Sequence, residues 1–228
     1  MTGTTKNVVF IHTVQGNVAA FTTLASELLP NQRPTHVVDE SLLQDTIARG
    51  ELTADITSRF RAAAERAVAD GADIIMFTCS SVGPAADGLS AELGVPVLRV
   101  DEAMADRAIS IGSTIGVAAT LPTTLGPTSE LIRGASSRAA KPVQIVTRLA
   151  EGAFQELQAG RGERHDQLVR EALADLAGRV DVIVLAQASM ARALGGADSV
   201  ESGARSVPVL TSPRLGVERL RDTIAASV

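Results

Sequence analysis

Aromatic residues and cysteine are scarce in this sequence, which has no Trp, no Tyr, five Phe and one Cys in 228 residues. The hydrophobic content is still 45%, so the core must consist largely of small aliphatic side chains, which suits strands covered by helices. A single cysteine cannot form an internal disulfide. The sequence therefore predicts a reduced, cytoplasmic protein.

Clusters of positive charge and long apolar runs are also missing. The net charge is −5 and no block of Lys and Arg occurs, which argues against a nucleic-acid partner. No run of 18 apolar residues and no apolar leader is found, so neither a membrane span nor a signal peptide is predicted. Phosphate-loop, dinucleotide, nucleophile-elbow and zinc motifs are absent too, which favours a mechanism without a metal or cofactor.

Short apolar runs alternate with helical stretches along the whole chain, a pattern typical of βαβ units with parallel strands. The predicted strands are 7–13, 35–40, 72–78, 95–100, 113–120, 142–147, 180–186 and 207–210. The predicted helices are 19–29, 53–69, 84–93, 124–133, 163–177 and 214–226.

The two halves of the chain repeat one another at a nearly constant offset. "ADIIMFTCSS" aligns with "VDVIVLAQAS" at an offset of 108, which places Cys79 over Gln187, and "VPVL" begins at 95 and again at 207. The repeat predicts an α/β fold of two pseudo-symmetric lobes, each a parallel sheet covered by helices. The predicted lobes are 1–103 plus 213–228, and 104–212, with the active site in the cleft between them.

Polar residues follow four of the predicted strands at their carboxyl ends, where parallel sheets bind ligands. These candidates are rich in hydroxyls and amides and poor in charge, so we expect hydrogen bonding rather than an arginine clamp to hold the ligand. They are His12 and Thr13, then Cys79, Ser80 and Ser81, then Thr120, Thr123 and Thr124, and finally Gln187, Ala188 and Ser189.

Each candidate also has a purely structural interpretation. The helix predicted after Cys79 would lower the pKa of its thiol and favour a reactive thiolate, but most free cysteines are small buried hydrophobes. The threonines after residue 119 either bind a carboxylate or cap the following helix. His12 either donates to a substrate or is structural, and His36 and His165 are interpreted as surface residues.

Several of these segments together resemble the aspartate/glutamate racemase superfamily, which includes hydantoin racemases and arylmalonate decarboxylase. The resemblance rests on "GADIIMFTCSSVG" (71–83), "IGVAATLPTT" (115–124), "VDVIVLAQASMA" (180–191) and "VPVLTSPRLGV" (207–217). It implies two lobes, cofactor-free chemistry on a small carboxylate, a homo-oligomer, and two catalytic cysteines on opposite faces of the substrate carbon. Cys79 matches the first cysteine, whereas Gln187 occupies the place of the second.

The predicted function is a cofactor-independent isomerase or racemase-like enzyme for a small carboxylate or hydantoin-like substrate. Cys79 would act as acid/base or nucleophile, and Gln187 would orient the substrate, because an amide cannot exchange a proton as a base at neutral pH. A decarboxylase or C–C lyase, in which Cys79 protonates a carbanion, and a non-catalytic carboxylate-binding protein remain as alternatives.

Overall fold

A computed structural model describes residues 5–227, which fall into two compact units. Unit 1 contains the described chain up to Asp101 and is joined again by the chain from Pro213 onwards. Unit 2 is the continuous segment Glu102–Ser212. The chain therefore leaves unit 1, builds unit 2, and returns.

Unit 1 is built on a four-stranded sheet in which all neighbouring strands are parallel, in the order β2-β1-β3-β4. Its strands are β1 (Val8–His12), β2 (Thr35–Val38), β3 (Ile74–Phe77) and β4 (Val97–Arg99). Its helices are α1 (Asn17–Leu28), α2 (Glu40–Arg49), α3 (Ala54–Ala69), the short α4 (Leu89–Leu93) and, after unit 2, α9 (Ser212–Ala226).

Both faces of this sheet are covered, as expected when successive apolar residues of a strand point to opposite sides. On one face, Ile11 and Phe77 pack with Phe60 of α3. On the other face, Phe10 packs with Phe21 of α1 and with α9. The helix that returns from the end of the chain is thus part of the core of unit 1.

Unit 2 contains a five-stranded sheet in the order β6-β5-β7-β9-β8. Its strands are β5 (Thr114–Ala119), β6 (Gln144–Leu149), β7 (Val182–Leu185), β8 (Ser199–Ser202) and β9 (Arg205–Thr211). Its helices are α5 (Glu102–Ile111), α6 (Pro122–Arg138), α7 (Ala153–Gln158) and α8 (Gly162–Ala177), and α8 packs its apolar face on the sheet.

The predicted α/β fold with two sheets covered by helices is confirmed, and every predicted strand is present. One strand departs from the expected parallel arrangement, since β8 pairs antiparallel with β9 in a hairpin that the sequence patterns did not indicate. Helices α2, α5 and α7 were also not predicted. In α2, the Asp39 side chain accepts a hydrogen bond from the Ser41 amide, and Gly50 closes the helix at φ 77°, which are standard start and stop signals.

Candidate functional site

The carboxyl ends of β1 and β3 lie side by side in unit 1 and carry the predicted cysteine. Backbone pairing of the two strands extends to Thr78, whose amide donates to the carbonyl of Ile11 at 3.1 Å. The residues that follow are largely enclosed: Thr13, Ser80 and Ser81 are buried, whereas Cys79 is half-buried. Cys79 is therefore partly exposed as a residue, while its sulfur is surrounded by protein.

The immediate surroundings of the Cys79 thiol act on its pKa in opposing directions. Burial raises the pKa, and the nearby Asp101 carboxylate acts the same way. The Thr13 hydroxyl and the backbone amides of Val82 and Ser81 act to lower it. The Thr13 hydroxyl oxygen is buried without a hydrogen-bond partner, so Thr13 acts on the thiol as a nearby dipole, and the two amides lie close enough to the sulfur to act in the same direction.

The net result is a raised pKa, and the expectation of a lowered one was wrong. The physical reason lies in the segment after Cys79, where we predicted one helix over 84–93. The structure has a single 3₁₀ turn, Gly83–Ala86, and only the five-residue α4 thereafter. A long helix would present a strong positive end to the sulfur and lower the pKa of the thiol. Here two amides oppose the increase in pKa that burial causes. The resting thiol is protonated at neutral pH.

A buried ion pair supports the loop that carries those amides, and the sequence reasoning missed it. Arg99 meets Asp101 through two hydrogen bonds of 3.1 and 3.2 Å, and both side chains are almost fully buried. A Cβ atom added at Gly83 would lie 2.7 Å from Nη2 of Arg99. Gly83 is therefore required by the close approach of the guanidinium. The signal in the sequence was an Arg and an Asp around the end of an otherwise apolar strand.

His12 lies at the end of β1 and is fully buried. Its Nδ1 atom is 2.8 Å from the Thr78 hydroxyl and its Nε2 atom is 2.8 Å from Nδ1 of His36. Both ring nitrogens are thus engaged by the protein, which leaves neither for a ligand in this structure. Burial lowers the pKa of His12 to about 4, and repulsion from His36 when that ring is protonated acts in the same direction. His36 is half-buried, so its interpretation as a plain surface residue was wrong.

In unit 2, the residues that follow β5 and β7 are joined by hydrogen bonds. The backbone amide of Thr120 donates to Oε1 of Gln187 at 2.6 Å, and the Thr120 hydroxyl donates to the same oxygen at 3.0 Å. Two donors on one oxygen fix the orientation of the amide, because the NH2 group could not accept either bond. Gln187 is half-buried, and both of its hydrogen bonds to Thr120 involve Oε1 rather than the NH2 group.

The threonines that follow β5 do not cap α6. The residue before the helix is Leu121, and no side chain caps this end. The hydroxyl oxygen of Thr123 is buried without a hydrogen-bond partner, and Thr124 is fully buried. Ala188 and Ser189 open the 3₁₀ segment Ala188–Leu194 and are half-buried.

The remaining predicted features fall outside these two groups. His165 is fully buried in α8, so its interpretation as a surface residue was wrong; its Nδ1 atom bonds Asp166 at 2.9 Å. Within residues 5–227, no three His, Cys, Asp or Glu side chains gather closely enough to hold a metal ion. Over the same residues, none of the helices has the length and apolar character needed to cross a membrane.

Comparisons with known proteins agree with this architecture. Glutamate racemase from Francisella tularensis in complex with D-glutamate superposes with a TM-score of 0.72 at 14% identity, over 100% of this chain and 83% of the other. Aspartate racemase from Picrophilus torridus gives 0.68 at 12%, over 97% and 94%. Allantoin racemase from Klebsiella pneumoniae gives 0.66 at 16%, over 97% and 89%.

At these identities the structural likeness shows the fold. No curated protein sequence gives a significant match to the chain. The family described as Asp/Glu/Hydantoin racemase, however, matches residues 16–220, which is nearly the whole length. The chain belongs to the Asp/Glu/hydantoin racemase family.

Proposed function

We propose that the protein is a cofactor-independent isomerase that moves a proton at a carbon next to the carboxylate or carbonyl of a small substrate. Cys79 is the acid/base group. The observation that carries the proposal is the setting of Cys79, a half-buried residue whose sulfur is faced by the Ser81 and Val82 amides and by the Thr13 hydroxyl. Membership of a racemase family supports the same reaction class.

The resting protonation state suits the acid half of the reaction. Because burial raises the pKa of Cys79, the thiol is ready to give a proton. To act as a base it must first lose that proton to water, and the two amides then stabilise the thiolate by charge-assisted hydrogen bonds. The thiolate removes the proton from carbon, the electron pair moves onto the substrate carbonyl oxygen, and the new S–H bond supplies the proton that returns to carbon.

A single thiol restricts which isomerisations are possible. Proton removal and return by one sulfur occur on one face, so the proton can move between neighbouring carbons or exchange with solvent. Inversion at a single carbon requires a second acid on the opposite face, and a glutamine amide has no suitable pKa for that role. We therefore favour a one-sided proton transfer over two-base racemisation.

The proposed substrate-binding group is built around Gln187. Its Oε1 atom accepts two hydrogen bonds from Thr120, so the groups of this amide assigned to the substrate are its N–H donors. Such donors match a carboxylate or a developing enolate oxygen. The Thr123 hydroxyl, which is buried without a partner, belongs to the same group, together with Thr124 and the backbone at Ala188 and Ser189. Ser80 and Ser81 belong to the Cys79 group.

The reaction class can be tested with solvent deuterium. A panel of small carboxylates and hydantoins is incubated in D2O with the wild type, Cys79→Ser and Cys79→Ala, and deuterium on carbon is measured by NMR. We expect incorporation by the wild type and a loss of about 10²- to 10⁴-fold in both variants, the range for removal of a general acid/base. Release of CO2 would instead indicate a decarboxylase. Ligand binding without exchange or product would indicate a binding protein, and unchanged exchange in Cys79→Ala would refute the thiol mechanism.

Gln187→Glu tests the binding group separately. The carboxylate still accepts both bonds from Thr120 but loses the N–H donors and adds a negative charge. We expect native stability and a fall in turnover of about 10²- to 10³-fold, as for loss of an oxyanion donor. Thr120→Val is the matched variant, since it removes one donor to Oε1 and leaves the outward N–H groups present. An unaltered reaction in Gln187→Glu would contradict the assigned role.

A further inference from the structure

A chain of hydrogen-bonded side chains crosses unit 1 behind the cysteine. It runs from Thr22 on α1 through His36 on β2 and His12 on β1 to Thr78 at the end of β3. Its three links are 3.2, 2.8 and 2.8 Å long. We call these four residues the histidine chain. It begins at an exposed residue, Thr22, and ends at a buried one, Thr78, which directly precedes Cys79.

The hydrogens of the histidine chain can be assigned so that the short bonds are all satisfied with both imidazoles neutral. Thr22 donates its hydroxyl proton to the Val18 carbonyl at 2.8 Å, so it accepts from Nε2 of His36. Nδ1 of His36 then accepts from Nε2 of His12, and Nδ1 of His12 accepts from the Thr78 hydroxyl. Burial lowers the pKa of both histidines, which agrees with neutral rings.

This assignment leaves only one possible hydrogen bond unmade, which is also the longest of those available to these residues. The Thr78 hydroxyl also lies 3.3 Å from the Ile11 carbonyl, and that oxygen already accepts from the Thr78 amide at 3.1 Å. Donation of the hydroxyl to His12 therefore leaves the carbonyl satisfied. The network is closed at both ends.

The link between His12 and Thr78 lies just outside the last backbone hydrogen bond between β1 and β3. Beyond that point the two strands are joined by this side-chain bond. The next residue is Thr13 in the chain that leaves β1 and Cys79 in the chain that leaves β3. Thr13 and Cys79 are the two residues whose hydroxyl and thiol interact. The bond between His12 and Thr78 thus fixes the two strand ends immediately before the reactive group.

The surroundings of His12 argue against a role in packing alone. Its ring centroid is 5.4 Å from that of Phe21 and 6.0 Å from that of Phe10, so two polar nitrogens lie among aromatic core residues. Burying such groups costs free energy unless both are hydrogen bonded. A leucine or phenylalanine would fill this space without that requirement.

We infer that His12 is a positioning residue for Cys79, acting through Thr78 to hold the end of β3 and the thiol in place. The inference rests on the proposed function only where it assigns a role in the reaction to the thiol that is held in place. The effect on the thiol itself is measurable without any substrate. His12 does not touch the substrate in this scheme, and the other members of the histidine chain keep its ring oriented.

The test measures the rate at which iodoacetamide alkylates Cys79 as a function of pH. Because the chain has one cysteine, the label reports on this site alone. Two isosteric pairs separate the two sides of the imidazole. In His12→Asn the amide occupies the place of Nδ1 and retains a partner for Thr78, whereas in His12→Gln it occupies the place of Nε2 and loses that partner. Thr78→Ser keeps the hydroxyl and Thr78→Val removes it.

We expect His12→Gln and Thr78→Val to alkylate about 3- to 10-fold faster than the wild type at pH 8. Loosening the strand end hydrates the sulfur, which moves its raised pKa back toward 9.0, and a tenfold change in thiolate corresponds to about one pKa unit. His12→Asn and Thr78→Ser should stay within about twofold. Thr23→Val, which removes an exposed hydroxyl beside Thr22 on α1, is the control and should match the wild type.

Circular dichroism of each variant must show native helix content at each pH, which identifies a misfolded variant. Equal alkylation profiles in all four variants, whether raised together or unchanged, would overturn the inference. The proposed function fails by a different result, namely deuterium exchange that is unchanged in Cys79→Ala. A normal alkylation response with no exchange activity would keep the positioning role and reject the isomerase.

Discussion

The buried imidazole of His12 makes a quantitative prediction about stability at acid pH. Its pKa is about 4 in the folded protein and 6.5 in the absence of burial. Between these values the unfolded chain binds a proton that the folded protein does not. Unfolding therefore becomes more favourable as the pH falls from 6.5 towards 4, whereas above 6.5 both states are neutral and the effect disappears.

Integrating this difference from pH 7.5 to 4.5 gives a loss of about 2.5 kcal/mol in the free energy of unfolding from His12 alone. His36 acts in the same direction, because burial lowers its pKa too. The carboxylates of Glu27 and Glu156 are paired with arginines, which lower their pKa values, so their protonation in acid also reduces the stability of the folded protein. A comparison with His12→Asn separates the imidazole from these carboxylates, which the two proteins share.

The assay is urea unfolding followed by circular dichroism at several pH values, since the chain has no Trp or Tyr to report by fluorescence. At pH 7.5 the wild type should exceed His12→Asn by about 1 kcal/mol, the usual worth of a buried hydrogen bond. At pH 4.5 the order should reverse, because only the wild type carries the penalty of His12. Curves that stay parallel from pH 7.5 to 4.5 would refute a depressed pKa at this residue.

Two glycines should resist substitution, and a third provides the control. In Gly83→Ala the new methyl group would lie 2.7 Å from Nη2 of Arg99, so we expect a loss of about 1–3 kcal/mol from overpacking. In Gly216→Ala it would lie 2.7 Å from the Val100 carbonyl oxygen, and a similar loss should follow, both measured by urea unfolding. Gly126→Ala, whose methyl group meets no atom within 4 Å in α6, should be neutral or stabilising by up to about 1 kcal/mol. Equal stabilities for all three would contradict the packing described.

Apolar runs revealed the strands because a strand covered on both faces needs nearly continuous Val and Ile. Helix α2 was missed because only Leu42, Leu43 and Thr46 of its ten residues are buried, which leaves a weak pattern. Strand β8 is largely polar and lies at the edge of its sheet, so it carries no apolar signal, whereas β9 was found from its apolar run at 207–210.

The site was predictable in its residue types and less so in its electrostatics. Cys79 and Gln187 stood out by sequence position, but the direction of the thiol pKa depends on how much protein surrounds the sulfur. The contact between His12 and His36 depends on the pairing and register of the strands, since β1 and β2 are separated by α1 in the chain and are neighbours in the sheet. The approach of Arg99 to Gly83 likewise follows from the fold.

The return of the chain to unit 1 has a consequence for biosynthesis. Val217 and Leu220 of α9 are fully buried against residues of β1 and α1. The part of unit 1 that precedes unit 2 in the chain thus lacks part of its core until α9 has been synthesised. Unit 2 is continuous and contains its own core, so it is able to fold while unit 1 is still incomplete. The path of the chain therefore favours folding of unit 2 before unit 1 is complete, in contrast to the usual order in which the N-terminal domain folds first.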